Sequence, residues 1–148
     1  MANRNVSTPR PKLSEDYLLD DQVGYKLRLA SQRHLEIFSR LLPNLTPTQF
    51  SVLVRLRDIG EASQNQLGRL VAMDAATTKG VIARLLEKGL VSSRPDSKDL
   101  RRLKISLTAD GEKMVIAAIE AAQKITAETT SKLTAKEVSR LCSLLDKL

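Results

Sequence analysis

The residues of this sequence that are best suited to chemistry form a cluster of positive charge, and their chemistry is the binding of anions. Five basic side chains fall within one short segment: Arg94, Lys98, Arg101, Arg102 and Lys104. Only Asp96 and Asp99 oppose them, and these would hold the arginines in place by ion pairs. A basic loop of this kind can lie over or in the minor groove of DNA, where arginine is favoured. The alternative is an ordinary solvated turn.

A second candidate surface lies on a helix predicted over residues 75–88. Several small or polar side chains fall largely off its predicted buried face: Ala76, Thr77, Lys79, Gly80, Ala83 and Arg84. Side chains of this size can enter the major groove of DNA. A glycine inside a helix costs about 1 kcal/mol relative to alanine, and close approach to DNA would explain that cost at Gly80. The alternative is an ordinary amphipathic helix.

A third group stands at the start of the preceding helix. Gln64 and Asn65 fall where free backbone N–H groups suit a phosphate. For their neighbours Ser63 and Gln66, capping of the helix is the simpler role.

Other chemistries find little support in the sequence. One histidine and one cysteine cannot fill a four-ligand zinc site without several carboxylates, so we expect no metal. The sequence has neither a nucleophile elbow nor a glycine loop that cradles phosphate, and we therefore expect no enzyme and no cofactor. Cys142 falls on the apolar stripe of the last predicted helix, which indicates a small core residue rather than a redox-active thiol.

Composition points to a helical protein with a polyanionic partner. The 148 residues carry a net charge of +7, which favours nucleic acid first and an anionic membrane surface second. Aromatic residues make up 3% and tryptophan is absent, so aliphatic side chains must build the core and helices are favoured. A single cysteine and no apolar leader or span predict a cytoplasmic protein, associated with the nucleoid when bound to DNA. Residues 1–14 are predicted to be a flexible basic arm, whose Arg4, Arg10 and Lys12 either touch phosphates or are simply solvated.

The order of predicted elements defines the fold class. Apolar residues at helical spacing predict helices over residues 16–42, 47–59, 64–71 and 75–88, and after Thr108 and Thr134. Three capping boxes begin at Thr46, Ser63 and Thr134. The predicted buried face of the fourth helix comprises Ala75, Thr78, Ile82, Leu85 and Leu86. Residues 90–93 and 102–107 alternate with the period of strands and form a predicted β-hairpin.

Two short helices, a tight turn and a hairpin directly after them predict a winged helix-turn-helix, in a mainly α protein with a small β-hairpin. This DNA-binding domain would span residues 46–107. The helices outside it carry more apolar surface than one small domain can cover. Residues 15–45 and 108–148 are therefore predicted to form a helical dimerisation region in a homodimer.

At this level of detail the sequence resembles the MarR family of bacterial regulators. The motifs that carry the resemblance are residues 45–50, 67–70, 77–78, 84–91, 94–102 and 105–108, with Gly111. The wing of that family has the form Asp-x-Arg-Asp-x-Arg, which Asp96, Asp99 and Arg101 match. Lys98 replaces the usual arginine and lacks its forked guanidinium. Residues 30–34 and 64–70 also resemble a subgroup linked to aromatic and nicotinate-type catabolism.

The resemblance implies an obligate dimer that represses transcription from a pseudo-palindromic operator in double-stranded DNA. It also implies release by a small organic effector, an aromatic carboxylate or a phenol, bound between the dimerisation helices and the DNA-binding lobe. An anionic aromatic ligand needs a cation and a flat apolar wall. The candidate pocket residues are Tyr25, Gln32, Arg33, His34, Phe38 and Gln49. A buried core or interface histidine is the alternative for His34.

These inferences combine into one hypothesis, a ligand-responsive repressor, with a sequence-tolerant architectural DNA-binding protein as the alternative. The predicted DNA-binding residues are Gln64, Asn65, Ala76, Thr77, Lys79, Gly80, Arg84, Arg94, Ser97, Lys98, Arg101 and Arg102. Asp96 and Asp99 are predicted to shape the wing.

Overall fold

A computed structural model describes residues 17–148. The predicted basic arm and its Arg4, Arg10 and Lys12 lie outside the described residues. After a 3-10 turn at Leu19–Asp21 the helices are α1 (Val23–Leu41), α2 (Pro47–Ile59), α3 (Gln64–Leu70), α4 (Ala75–Glu87), α5 (Ala109–Thr129) and α6 (Ala135–Leu145). The strands are β1 (Glu61–Ser63), β2 (Val91–Pro95) and β3 (Leu103–Leu107). The winged helix-turn-helix arrangement predicted from the sequence is confirmed.

The chain divides into two compact units, one that ends at Gln32 and one that begins at Arg33. In the described part of the first unit, the side-chain amide of Gln22 donates to the Leu18 carbonyl at 2.9 Å. The guanidinium of Arg28 lies 5.1 Å from the centre of the Tyr25 ring and also donates to Gln32.

Local capping explains where the helices begin. Thr46 and Thr134 form the predicted capping boxes with Gln49 and Glu137, in which each N-cap hydroxyl accepts from the backbone N–H three residues on and the longer side chain bonds back. Ser63 accepts from the Gln66 backbone N–H at 3.3 Å, and no return bond from the Gln66 side chain completes a box among the described contacts.

The sheet has three antiparallel strands in the order β1-β3-β2, one more than the predicted hairpin. Ala62 at the centre of β1 is fully buried and pairs with Ile105, which pairs on its other side with Ser93. Three residues are too few to show a strand period, so β1 was missed. Pro95 falls between the two predicted strands (90–93 and 102–107) but is the last residue of β2, an edge strand where a missing N–H costs no ladder bond.

The core is largely aliphatic, with Phe38 as a buried aromatic, and lies in the second unit, where buried residues of α2, α4, α5 and the sheet pack together. On α4 only Thr78, Ile82 and Leu85 are buried. Ala75 and Leu86, predicted to be buried, are exposed because both lie beyond the same edge of this narrow stripe. Cys142 is also exposed rather than in the core, since α6 has no buried residue in the single chain.

The start of α5 lies against Leu90, the residue before the strand β2, at a glycine. A Cβ atom on Gly111 would stand 1.9 Å from the Leu90 carbonyl oxygen, far inside van der Waals contact. The same carbonyl accepts from the Thr108 backbone N–H at 3.1 Å, so it cannot turn away without losing that bond. Only glycine permits this approach of two backbones.

We expect Gly111→Ala to lower the free energy of unfolding by at least about 2 kcal/mol, because the new methyl group meets backbone that cannot move freely. Gly80→Ala is the matched control, since its Cβ would meet nothing within 4 Å. That control should raise the free energy of unfolding by about 0.5–1 kcal/mol through helix propensity. Urea unfolding measures the free energy of unfolding of both variants. If Gly111→Ala were as stable as the wild type, α5 would be able to shift away from Leu90.

Candidate nucleic-acid interface

The helix-turn-helix is built on a close contact between α3 and α4. A Cβ on Gly68 would lie 2.9 Å from the Thr78 hydroxyl oxygen, so the glycine lets the two helices approach. Between the helices, Ala72 adopts a positive φ of 52° and the Met73 backbone N–H donates to the Gly68 carbonyl at 2.9 Å. This tight turn places α4 across α3 with its buried stripe against the core.

The opposite face of α4 is open to solvent. All five α4 residues that were predicted to bind DNA are exposed: Ala76, Thr77, Lys79, Gly80 and Arg84. The carboxylate of Asp74 caps the helix by accepting from the backbone N–H of Thr77 at 2.7 Å and from its hydroxyl at 3.0 Å. These bonds to Thr77 lower the pKa of Asp74 below its ordinary value. The helix therefore presents small side chains flanked by the cations of Lys79 and Arg84.

Aspartates fix the backbone of the wing loop. The Asp96 carboxylate accepts from the Lys98 backbone N–H at 2.9 Å, and the Asp99 carboxylate accepts from the Arg101 backbone N–H at 3.1 Å. Asp99 also lies 3.4 Å from the Arg102 guanidinium. The backbone N–H of Asp96 donates a hydrogen bond to the Arg102 carbonyl across the loop at 2.8 Å. The loop thus holds exposed Ser97, Lys98, Arg101 and Arg102 side chains on an ordered backbone.

The base of the wing is an ion-pair cluster centred on Glu61. Its carboxylate accepts from the Arg94 guanidinium at 2.5 Å and lies 3.5 Å from the Lys104 ammonium. Lys104 in turn lies 4.0 Å from Asp96. The hydrogen bond from Arg94 is the main cause that lowers the pKa of Glu61, with a smaller contribution from Lys104. Arg94 is thus held at the wing base, and its predicted contact with DNA stays a prediction.

A polar groove of about 530 Å³ separates α3 from the wing. Its lining residues are Ser63, Gln64, Asn65, Arg69, Arg101, Arg102 and Leu103. Gln64 is half-buried and Asn65 is exposed. Arg69 was not among the predicted DNA-binding residues, because its neighbours along α3 gave no sign that it faces the wing. The groove brings three guanidinium groups together, an arrangement suited to a phosphate backbone.

The predicted effector residues are divided between the two units. Tyr25 and Gln32 belong to the first unit, and the other four belong to the second. The His34 imidazole makes a 3.0 Å hydrogen bond with the Thr129 hydroxyl, and Phe38 is buried between His34 and Phe50. Arg33 is exposed.

Gln49 is buried, and its amide oxygen accepts from Thr46 N–H and from the Lys88 ammonium. Whether any of the six residues contacts an effector stays a prediction.

The described part of the chain presents neither a cluster of metal ligands nor a membrane-spanning helix. In residues 17–148 no group of three or more His, Cys, Asp and Glu side chains is placed to hold a metal ion. None of the helices in the same range is long and apolar enough to cross a membrane.

The Glu61 cluster gives the wing a pH dependence. Because the pKa of Glu61 is lowered on folding, its ion pairs add stability that is present above its ordinary value of 4.5 and is lost as the pH falls through the folded value. We expect the wild type to be more stable than Glu61→Gln at pH 6 and this difference to shrink towards pH 3. Thermal unfolding followed by circular dichroism measures this difference in stability. A difference that does not change with pH would contradict a stabilising role for the ion pairs of Glu61.

Comparison with known proteins agrees with this geometry. Residues 45–103 match the model of the MarR family. The chain is 35% identical over 150 aligned residues to the HTH-type transcriptional repressor NicR of Pseudomonas putida, an alignment that covers 100% of this chain and 95% of NicR.

Two solved structures carry the comparison further. BpsR of Bordetella bronchiseptica, whose DNA binding is regulated by 6-hydroxynicotinic acid, superposes with a TM-score of 0.85 at 38% identity, over 88% of this chain and 95% of BpsR. A cysteine-to-serine mutant of MarR from Escherichia coli, in complex with operator DNA, superposes with a TM-score of 0.77 at 28% identity, over 84% of this chain and 91% of that MarR chain.

The resemblance seen in the sequence is therefore confirmed over nearly the whole chain. This chain belongs to the MarR family and is a transcriptional regulator, not an enzyme.

Proposed function

We propose that the protein is a repressor that binds a pseudo-palindromic operator in double-stranded DNA as a homodimer and is released by a small aromatic acid. The observation that carries this proposal is the set of exposed polar and basic side chains on α4, in the groove beside α3 and on the wing. The relatives support it, since NicR is a transcriptional repressor and MarR is known in complex with operator DNA.

Each part of that surface suits a different part of the duplex. The exposed face of α4, with Thr77, Lys79 and Gly80 near its start, has the size and chemistry of a helix that reads base edges in the major groove. The wing offers Arg101 to the adjacent minor groove, where arginine is favoured. The groove lined by Asn65 and Arg69 would then hold the phosphate backbone that runs between the two grooves.

A second copy of the chain is the proposed partner of the apolar helices. On α6, Leu141, Leu144 and Leu145 are between 41% and 49% exposed, and no residue of that helix is buried. On the part of α1 in the first unit, Val23, Leu27 and Leu29 are exposed as well. Helices with an apolar stripe need a partner, and a two-fold dimer would also match a pseudo-palindromic operator.

The proposed effector is an aromatic carboxylate or a phenol. BpsR responds to 6-hydroxynicotinic acid, so this hydroxylated pyridine carboxylate is the first compound to test. Arg33 and His34 supply polar groups, and Phe38 supplies an aromatic wall of the kind an anionic aromatic ligand needs. Release would follow if the ligand held the two DNA-binding lobes at a spacing that no longer matches successive major grooves, about 34 Å apart.

The main test compares binding to an operator duplex and to a scrambled duplex by fluorescence anisotropy at several salt concentrations. A regulator should prefer the operator by a factor on the order of 10³ or more, whereas an architectural protein would bind both duplexes alike. Arg101→Ala should weaken operator binding by about 1–3 kcal/mol and reduce the salt slope by about 0.9, because one phosphate or groove contact is lost. Addition of 6-hydroxynicotinic acid should then release the wild-type complex.

Arg55→Ala is the matched control for the loss of one arginine. This residue lies on α2 and pairs with Asp58 in the same helix at 4.0 Å, so operator affinity should stay close to that of the wild type. Unchanged affinity of Arg101→Ala would remove the wing arginine from the contact.

The dimer is tested on α6. Leu141→Glu should raise the dimer dissociation constant by at least about a hundredfold, since two-fold symmetry places both new charges in one apolar interface. Ser143→Glu adds the same charge to the opposite side of the helix, where Ser143 donates only to the Ser139 carbonyl, and should leave the dimer intact. Sedimentation equilibrium distinguishes the two, and a wild type that sediments as a monomer would rule out the proposed assembly.

A further inference from the structure

The helix α4 packs against its domain through one face. Of its thirteen residues, only Thr78, Ile82 and Leu85 are buried, and they form one narrow stripe. Burial of such a stripe holds the helix against the core, but because the hydrophobic effect is not directional it does not by itself fix the exact angle of the helix. A helix that reads base edges must be held within about 0.5 Å and 10–20° of its productive position. An additional contact at the side of the helix would supply this orientation.

Lys88 at the end of α4 makes such a contact. Its ammonium donates to the Asn44 backbone carbonyl at 2.6 Å and lies 3.3 Å from the side-chain oxygen of Gln49. That oxygen also accepts from the Thr46 backbone N–H at 3.1 Å, and Gln49 is only 3% exposed. The cation is therefore bound by one acceptor in the connection between α1 and α2 and by a second on a buried side chain in the first turn of α2. Hydrogen bonds from a charged donor are stronger than neutral ones.

This contact is not the one that a lysine at a helix end makes by default. Basic side chains near a C-terminus usually interact with the last carbonyls of their own helix. Lys88 instead reaches Asn44, which lies 44 residues earlier in the chain. Asn44 belongs to the connection between the end of α1 at Leu41 and the start of α2 at Pro47. The bond therefore joins the recognition helix to the corner where α1 ends.

We propose that Lys88 is a positioning residue that fixes the orientation of α4 for specific DNA recognition. This inference rests on the proposed function. The distance along the helix from Lys88 to Thr77 is about 17 Å at about 1.5 Å per residue. A tilt of only about 5° at the Lys88 end would move the start of α4 by more than about 1 Å, beyond the tolerance of base contacts.

The bond from Lys88 to Asn44, which we call the tether, also has a consequence for the dimer. Because α1 belongs to the proposed dimerisation region, the bond from Lys88 to Asn44 couples the recognition helix to the element that sets the distance between the two half-sites. Loss of the tether should weaken the preference for the correct half-site spacing. A variant without this bond should therefore distinguish the normal operator from one with a base pair inserted between its half-sites less well than the wild type does.

The competing role for Lys88 is a direct contact with a DNA phosphate, and salt dependence separates the two. A phosphate contact releases counterions, so its loss lowers the salt slope by about 0.9 and weakens binding to every sequence. Loss of a positioning residue weakens only operator binding and leaves both the salt slope and the affinity for scrambled DNA unchanged.

The experiment compares Lys88→Met with Lys79→Met, which removes an exposed lysine from the DNA-facing side of the same helix. We expect Lys88→Met to weaken operator binding at least about tenfold with an unchanged salt slope, as misplaced base contacts would. Lys79→Met should lower the salt slope and weaken binding to both duplexes. Lys88→Arg retains a cation that can donate to both acceptors and should restore most of the operator affinity.

Hydrogen–deuterium exchange on the free protein tests the tether without DNA. Lys88→Met should speed exchange in residues 42–50 and leave α5 unaffected. Unchanged exchange there, or a lowered salt slope with equal losses on both duplexes, would overturn the proposal. If the wild type itself fails to discriminate the operator, the proposed function fails, and the exchange result still decides whether Lys88 orders the connection between α1 and α2.

Discussion

The candidate interface of this protein depends on the burial of one stripe of α4. Thr78 and Leu85 are fully buried and Ile82 is nearly so, which turns the opposite face of the helix towards solvent. The stripe can reach the core because Gly68 has no side chain where Thr78 approaches α3. Small and basic residues on the outer face are therefore presented by packing on the inner face. Core packing on one face of α4 thus sets which residues the other face offers to the proposed DNA partner.

Order in the wing has a different origin, since acidic side chains rather than apolar burial hold the loop together. Asp96 and Asp99 bind backbone N–H groups of the loop, and Glu61 binds the guanidinium of Arg94 at its base. These acids neutralise part of the local charge. They also order the loop before it binds, which lowers the conformational entropy that binding would cost. Among the described residues, no acid contacts the guanidinium of Arg101, which leaves it available for a ligand.

The single chain leaves its outer helices incomplete. In α5, Val115, Ala118 and Ile125 are buried against the core, whereas α6 has no buried residue and exposes Leu141, Leu144 and Leu145. A helix whose apolar face has no partner gains little from the hydrophobic effect, so its stability is expected to depend on a second copy. The corner between α1 and α2, bound by Lys88, would then transmit the geometry of the dimer to the recognition helix.

Much of this protein was determined by sequence features that act over a few residues. The capping boxes at Thr46 and Thr134, the six helices and the hairpin of β2 and β3 depend on neighbours close in the chain, and they were predicted correctly. The alternation predicted for β3 is only partly seen, because Ile105 is buried but Leu103 is exposed. The motif order was sufficient to identify the family. Tertiary structure alone decided the pairing of β1 with β3, the bond of Glu61 to Arg94, the position of Arg69 beside the wing and the reach of Lys88 to Asn44. Each of these joins residues far apart in the chain, and no local pattern encodes them, because their distances are set by how the helices and the sheet pack on one core.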